Sequence, residues 1–438
     1  MNRFVASILA GWMLSGLAVE ADSGADPLAE LIPWFESAAR TALAHAERQM
    51  GDGTIVYAPS GTTKYQAFWL RDYEMMLEAE VIPKERLVAC AKLFLNALAA
   101  DGSGVDCLPF TGGAIYKPAW GKFGDNPVLD GGPYTVSVAY LSWKQSGDAF
   151  FLGDETLAKL AKTLGAIPHN AKTGLCWIDP SKDYDRAPWG FHDTVHKKGD
   201  CLYTSVLEIV ARRRFAEMLD AAGKGDAAGR ERAQADAMTA AVNMNTELWD
   251  ESFGLFRAAT VKCREHDVWG SAFAVWSGVA TEEHAQSIAA YFRNHYSELV
   301  QHGQVRAMPA GEYWEHVDAV CVRDTYQNAY QNGGFWGTAS GWFGWTLAQV
   351  DRPLAVQMFQ TLKADYASRG ANEWIFGERT ECHEYLSSLG LPLQALRRLT
   401  GVSAGTSVQK GETPAQKGIG VRSGTGGAEH PHLRQLPH

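Results

Sequence analysis

Basic residues are in short supply. The chain has 40 Lys and Arg against 50 Asp and Glu, a formal net charge of −10 over 438 residues. That shortage argues against a nucleic-acid partner and against a polybasic membrane face, both of which need clustered cations. A polyanionic substrate would need a local basic pocket. Apolar runs are equally scarce. The one continuous stretch, Phe4 to Val19, is short for a membrane span, so no stable insertion is expected. Arg3 precedes it, and Val19 and Ala21 place small residues where a signal peptidase needs them. Residues 1–21 therefore read as a signal peptide, and the expected destination is the periplasm or the exterior. Cysteines number seven (90, 107, 176, 201, 263, 321 and 382), an odd count with no CxxC pair and no framework spacing. They read as small buried residues, with a Cys176–Cys201 bridge left open. Dinucleotide and Walker glycine motifs are missing too, and no cofactor is implied. Strand patterns are sparse and short, as at Thr54 to Tyr57 and Leu255 to Ala258.

What is present is helix and aromatic side chain. Apolar spacing of three and four marks helices near 27–49, 71–80, 84–99, 132–146, 154–166, 200–222, 227–248, 268–279, 281–297, 335–350, 352–368 and 384–400. Tight turns join some of them in pairs. Long links at 100–131, 167–199, 298–334 and 369–383 hold most of the Trp, Gly, His and paired acids, and long structured loops in a compact domain usually carry function. Six hairpins with elaborate loops on one face describe an all-α, single-domain (α/α)6 toroid over residues 22–400. The stretch 401–438, rich in Gly, Ser, Thr, Pro and Lys, reads as a disordered tail. The 15 Trp, 15 Tyr and 18 Phe fit a large core or a sugar site equally well, because flat sugar faces stack on aromatic rings.

Four segments concentrate chemistry. At the mouth of the second helix, Trp69-Leu70-Arg71-Asp72 sets a fork of donors beside a pair of acceptors, which suits adjacent sugar hydroxyls or a structural ion pair. From Trp177 the chain packs five acids (Asp179, Asp183, Asp185, Asp193 and Asp200) among Trp189, Phe191, His192 and His196. There Asp179 suits a turn before Pro180, and Asp200 suits a helix cap. The HxxxH pair His192 and His196 lies in an irregular stretch, and no metal site is assigned to it. A third segment runs Glu312-Tyr313-Trp314-Glu315 and then Gln331-Asn332-Gly333-Gly334-Phe335-Trp336. Asn332 could cap the helix near Phe335, and the glycines could let backbone approach a ligand. The fourth is Asn372-Glu373-Trp374, with Glu378 and Glu381 close behind.

These motifs resemble those of six-hairpin glycosidases. The aromatic-x-Arg-Asp run is similar to the terminal-sugar pocket of glucoamylases (glycoside hydrolase family 15), which implies that Arg71 and Asp72 hold a terminal sugar. The second segment sits where such enzymes keep their general acid. Trehalases of family 37 have a similar glycine-aromatic-acid run there, which points to Asp193, with Asp183 and Asp185 as alternatives. Neighbouring aromatics would desolvate that acid and raise its pKa, as a proton donor needs. The Tyr330 to Gly337 run resembles the pocket lining of glycogen-debranching-like enzymes and the cellobiose phosphorylase group. Glu373-Trp374 fits the base of family 15 and family 63 enzymes, with Glu378 and Glu381 as alternatives. The resemblance implies an exo-acting glycoside hydrolase, working by inversion with Asp193 as acid and Glu373 as base. Trp69, Trp189, Glu312, Trp314, Glu315, Gln331, Asn332, Trp336 and Trp374 would line the sugar site, and an oligosaccharide or glycoside would be the partner. A carbohydrate phosphorylase of the same barrel type and a non-catalytic glycan-binding protein are the alternatives. Terminal sugar identity and oligomeric state are not encoded in these motifs.

Overall fold

The computed structural model describes residues 26–117, 128–182, 192, 194–317 and 327–403. Among them are thirteen α-helices: α1 Ile32–His45, α2 Leu70–Glu78, α3 Lys84–Asn96, α4 Gly131–Ser146, α5 Asp154–Gly165, α6 Leu202–Ala221, α7 Gly225–Met244, α8 Val268–Trp276, α9 Glu282–Asn294, α10 Tyr296–Leu299, α11 Ser340–Ala348, α12 Arg352–Arg369 and α13 Leu386–Thr400. The twelve helices expected from apolar spacing are all there, and α10 is one turn split from the end of the ninth.

Burial sorts the helices into two kinds. All nine residues of α8 are buried, whereas the twenty residues of α7 bury only Ala228, Ala235, Met238 and Val242. A helix apolar all round belongs inside, and one with a single apolar stripe belongs outside. The packing agrees. Contacts among the inner helices run α2 to α4 to α6 to α8 to α11 to α13 and back to α2, while α1, α3, α7 and α12 pack behind them. Local chemistry sets several helix starts: Asp267, Thr281 and Asp351 each accept a backbone N–H of the helix they precede.

Above the inner ring the link regions carry strands too short to show alternation in sequence. One antiparallel five-stranded sheet runs in the order Arg379–Glu381, Trp374–Phe376, Phe335–Trp336, Gln304–Arg306 and Val300–Gln301. Its register sets Trp336 opposite Trp374, and Trp374 opposite Glu381. A two-stranded ribbon pairs Ala67–Trp69 with Cys107–Pro109 and sets Trp69 opposite Cys107.

Several local expectations are corrected. Phe335 and Trp336 are strand, and the tenth expected helix starts at Ser340. Asn332 therefore caps no helix; its Oδ1 accepts the Trp314 backbone N–H at 2.8 Å. Gly334 approaches protein, since a Cβ there would sit 2.5 Å from the Tyr330 carbonyl oxygen and 3.0 Å from the Trp374 ring. Asp200 places no cap bond on α6; its carboxylate takes the side-chain amides of Asn170 and Asn245 at 2.8 and 3.0 Å. Asp179 forms the expected turn, accepting from Ser181 N–H at 2.9 Å. Cys176 and Cys201 are free thiols. The Cys176 Sγ donates to Glu208 at 3.0 Å, and that carboxylate also accepts from His169 and Arg212, which closes the cluster.

Candidate active site

The starts of the inner helices converge, and acids collect there. The ribbon that pairs Trp69 with Cys107 carries Arg71 onto Asp106, 2.6 Å away and fully buried. The same guanidinium lies 5.7 Å from the Trp69 ring centroid. Asp72, the next residue, accepts the Tyr385 hydroxyl at 2.7 Å. Burial pushes the Asp72 carboxyl up to about 6, against the opposing pull of Arg71 and the Tyr385 hydroxyl; Glu373 adds to the upward push. Asp72 and Glu373 thus sense each other.

Glu373 stands just before its strand, 1 % exposed. Its backbone N–H is shared between the carbonyls of Glu381 and Cys382, at 2.9 and 3.0 Å. Its carboxylate accepts the Tyr65 hydroxyl at 2.8 Å and the Lys64 ammonium at 3.1 Å. Burial opposes the Lys64 charge, but Glu373, with Cys382 and Glu381 behind it, holds the ammonium above its ordinary range. Burial, and then the adjacent carboxylates, keep Tyr65 and Tyr385 far above theirs, so both phenols remain donors. The Tyr65 and Tyr385 rings lie 6.1 Å apart. A continuous path therefore runs from Glu373 through Tyr65 and Tyr385 to Asp72. Of the other two acids considered for the base role, Glu378 is exposed, and Glu381 adjoins Glu373 through its backbone but pairs its carboxylate with Arg379 at 3.1 Å.

Asp130, Lys197 and Asp267 extend the cluster. Gly104 and Gly131 allow it, because a Cβ on Gly104 would fall on the Gly131 carbonyl carbon; any larger side chain would separate the segments bearing Asp106 and Asp130. Asp130 is fully buried, and among the described residues neither carboxylate oxygen has a hydrogen-bond partner from another residue. Burial pushes it up to about 6, against the pull of Arg71. Asp267 rises to about 6 for the same reason, opposed by the Gly270 N–H and by Lys197. Lys197 is 1 % exposed, a buried cation among these acids.

Asp193 and Trp189 lie outside the described residues, as do Asp183 and Asp185. The neighbours of Asp193 are placed. His192 stacks on Trp269 with ring centroids 5.0 Å apart, and Thr194 donates to Gln331 at 3.2 Å. Trp269 meets Trp336 at 5.6 Å, and Trp336 meets Tyr385 at 6.3 Å. Burial, then Lys197, drives His192 well below its usual range, which leaves a neutral ring.

The remaining expected residues divide. Trp314 is buried, with its indole N–H on the Gln331 carbonyl at 2.7 Å, and Trp374 lies beneath Arg379 at 4.8 Å. Glu312 is committed to His266, taking its backbone N–H at 2.9 Å and its Nδ1 at 2.6 Å. Glu315 is exposed beside His316. With His196, Lys262, Tyr313, Trp314 and Asn332, Glu315 lines an open cavity of about 370 Å³. Lys64, Tyr65, Asp106, Asp130 and Lys197 were not anticipated. Asp130-Gly131-Gly132-Pro133 at a helix mouth repeats the acid-at-helix-start pattern of Asp72 and was the available signal.

No protein-family model and no curated protein sequence matches the chain. Solved structures do match in fold. A rhamnosidase from Klebsiella oxytoca with rhamnose bound aligns over 89% of this chain and 66% of its own, at 14% identity and a TM-score of 0.59. A GH78 family rhamnosidase of Bacillus sp. GL1 aligns over 83% and 34%, at 15% identity and 0.55. A metal-independent alpha mannosidase of Streptococcus pneumoniae, in a non-productive complex with alpha-1,6-mannobiose, aligns over 86% and 96%, at 14% identity and 0.55. The chain thus spans about a third of the Bacillus enzyme and just under two thirds of the Klebsiella one. At these identities the likeness establishes a shared helical fold and assigns no family.

Proposed function

We propose that this chain is a glycoside hydrolase of the (α/α)6 type, exported from the cell, which removes a terminal sugar from an α-glycoside with inversion. The cyclic order of inner-helix contacts supports the toroid reading, and the fold it shares with rhamnosidases and an alpha mannosidase supports the reaction class. The observation that carries the proposal is Glu373: a buried carboxylate aimed by Tyr65, provided with a countercharge by Lys64, and linked through Tyr385 to Asp72.

On this reading Arg71 and Asp72 grip hydroxyls of the terminal sugar, and Trp69 packs beside them. Glu373 takes a proton from water as the water oxygen attacks the anomeric carbon. Asp193 gives its proton to the departing glycosidic oxygen. Water is added across one C–O bond, and the two carboxyls should stand about 6.5–9.5 Å apart. Four buried acids and the half-buried Asp72, with Arg71, Lys64 and Lys197 nearby, give the hydroxyl-rich substrate acceptors and donors in a site of low dielectric.

The test is to incubate the protein with a panel of aryl and natural α-glycosides and follow the first product by NMR. The panel begins with α-rhamnosides and α-mannosides, the sugars of the structural neighbours. Release of the β-anomer first is expected. Release of the α-anomer would replace inversion by retention. Turnover only with inorganic phosphate would indicate phosphorolysis, and binding without release would indicate a glycan-binding protein.

A further inference from the structure

A second cavity, of about 590 Å³, opens at the opposite end of the inner ring, with all six inner helices contributing to its wall. Its floor is the pair Tyr134 and Tyr203, whose hydroxyls lie 3.2 Å apart. Both phenols sense Asp130 on one side and Glu74 on the other, so they separate this cavity from the acid cluster.

The walls combine rings and charge. Tyr203 stacks on Phe273, Trp342 lies tilted against both, the three ring centroids being 4.9–6.0 Å apart, and Trp276 also lines the cavity. Deep in the wall the charges are closed: Arg214 bonds both Glu74 and Glu78, and Gln394 bonds Glu78. The mouth differs. Arg398 lies 4.3 Å from the ring centroids of both Trp276 and Trp345, and it spends one N–H on the Trp276 carbonyl. Arg213 bonds the next carbonyl, Ser277, and the Thr239 hydroxyl. Neither guanidinium forms an ion pair among the described residues. Each has five N–H donors in a fork suited to a carboxylate, so donors remain at the end of α8. Glu217, on the same rim, accepts the Tyr140 hydroxyl at 2.7 Å and pairs loosely with Lys144 at 3.8 Å, with acceptor capacity left.

We infer that this far-end cavity is a second ligand site, separate from the acid cluster, built for a single hexuronic acid. The two arginines at the mouth would take the carboxylate. Trp276 and Tyr140 would take the apolar ring face. Glu217 would accept hydroxyl protons and reject a ligand carrying further negative charge. A purely aromatic acid would leave the acceptors at the mouth without donors. Burial holds both Arg213 and Arg398 below the ordinary arginine range, in keeping with cations short of a partner. The inference does not depend on the hydrolase reading.

The test is calorimetric titration of the full chain with sodium D-glucuronate, D-glucose and sodium benzoate. Saturable glucuronate binding near or below ~1 mM is expected, with glucose and benzoate weaker by about 10-fold or more. Arg398→Gln should weaken glucuronate by about 10-fold while leaving glycoside turnover unchanged, since Arg398 lines the far-end cavity and not the acid cluster; a melting curve shows that the variant is folded without its contacts to Trp276 and Trp345. Arg213→Gln should weaken it similarly. Glu373→Gln should bind glucuronate as the wild type does. No saturation by about 10 mM, wild-type affinity in both arginine variants, benzoate binding as tight as glucuronate, or loss of binding in Glu373→Gln would each overturn the inference.

Discussion

Asp130 and Glu74 are both buried carboxyls on the inner ring, one at each end of it, and they are treated differently. Among the described residues Asp130 has no hydrogen-bond partner on either oxygen, and burial pushes it up to about 6. Glu74 rises to about 7 through burial and the neighbouring Glu78, yet it is bonded to Arg214 at 2.7 Å, and Arg214 is bonded to Glu78 in turn. A paired, closed network is what stability selects, because each charge removed from water recovers a partner. An orphaned carboxyl beside Arg71, Asp106 and Lys197 is a cost that a purely structural role does not explain, and such groups gather where a ligand will supply the missing partner. On the proposed reading the site end is arranged for an occupant. The deep part of the far end is arranged for itself, and only its mouth is left open.

If that division holds, activity and stability should separate by end. Glu373→Gln keeps the side-chain shape and still accepts from Tyr65. It should cost about 10²–10⁴-fold in turnover, the usual worth of a positioned base, with the melting temperature nearly unchanged. A Glu373→Gln protein with wild-type rate would remove Glu373 from the chemistry. Arg214→Met should do the reverse. It leaves Glu74 and Glu78 without their cation, which costs roughly 3–5 kcal/mol in denaturant unfolding, while turnover at a permissive temperature stays within about twofold. A large loss of turnover in the folded Arg214→Met protein would join the two ends functionally and break the comparison.

How far the sequence foretold this division depends on periodicity. Helices such as α6 and α12 repeat apolar residues often enough to be read directly, and Thr281 and Asp351 mark the starts of α9 and α12 by the chemistry of capping. The sheet that holds Glu373 was not readable. Its strands are two or three residues long and span Val300 to Glu381, so no alternation develops and the pairing is set by tertiary packing. Arg71, Asp72 and Glu373 were legible because each sits in a short motif. Asp106, Lys64 and Tyr65 were not, since nothing local distinguishes them until the ribbon and sheet bring them onto those residues. Asn332 was legible as functional polarity, and the cap that it could have made does not form, because its partner, the Trp314 N–H, is eighteen residues away.

Asp130→Asn probes the orphan itself. A carboxyl raised in the folded state favours folding most when protonated. Its contribution is intact below the ordinary value of 3.8 and is lost as pH climbs through about 6. The Asn variant should therefore match the wild type at pH 4 and exceed it at pH 7–8 by up to about 3 kcal/mol, from roughly two units at 1.4 kcal/mol each. It should lose turnover as it gains stability, the trade expected of a strained ligand group. Stabilisation that is equal at every pH would show that the charge on Asp130 is not what costs the fold.

The smallest expected effect concerns Tyr385, which separates two roles that Asp72 could have. If Asp72 must be ionised to accept a sugar hydroxyl, kcat/KM should fall on the acid side with a midpoint near 6, where burial has placed this carboxyl. The Tyr385 hydroxyl stabilises the ionised form through its 2.7 Å bond, so it pulls that midpoint down. Tyr385→Phe removes the pull and leaves the burial, and the acid limb should move upward by up to about one unit while the alkaline limb stays in place. A pH–rate profile on any glycoside the wild type cleaves reads this directly. An acid limb that does not move would mean that Asp72 titrates outside the rate-determining ionisation, and that the path from Glu373 through Tyr65 and Tyr385 orients the site without setting its charge.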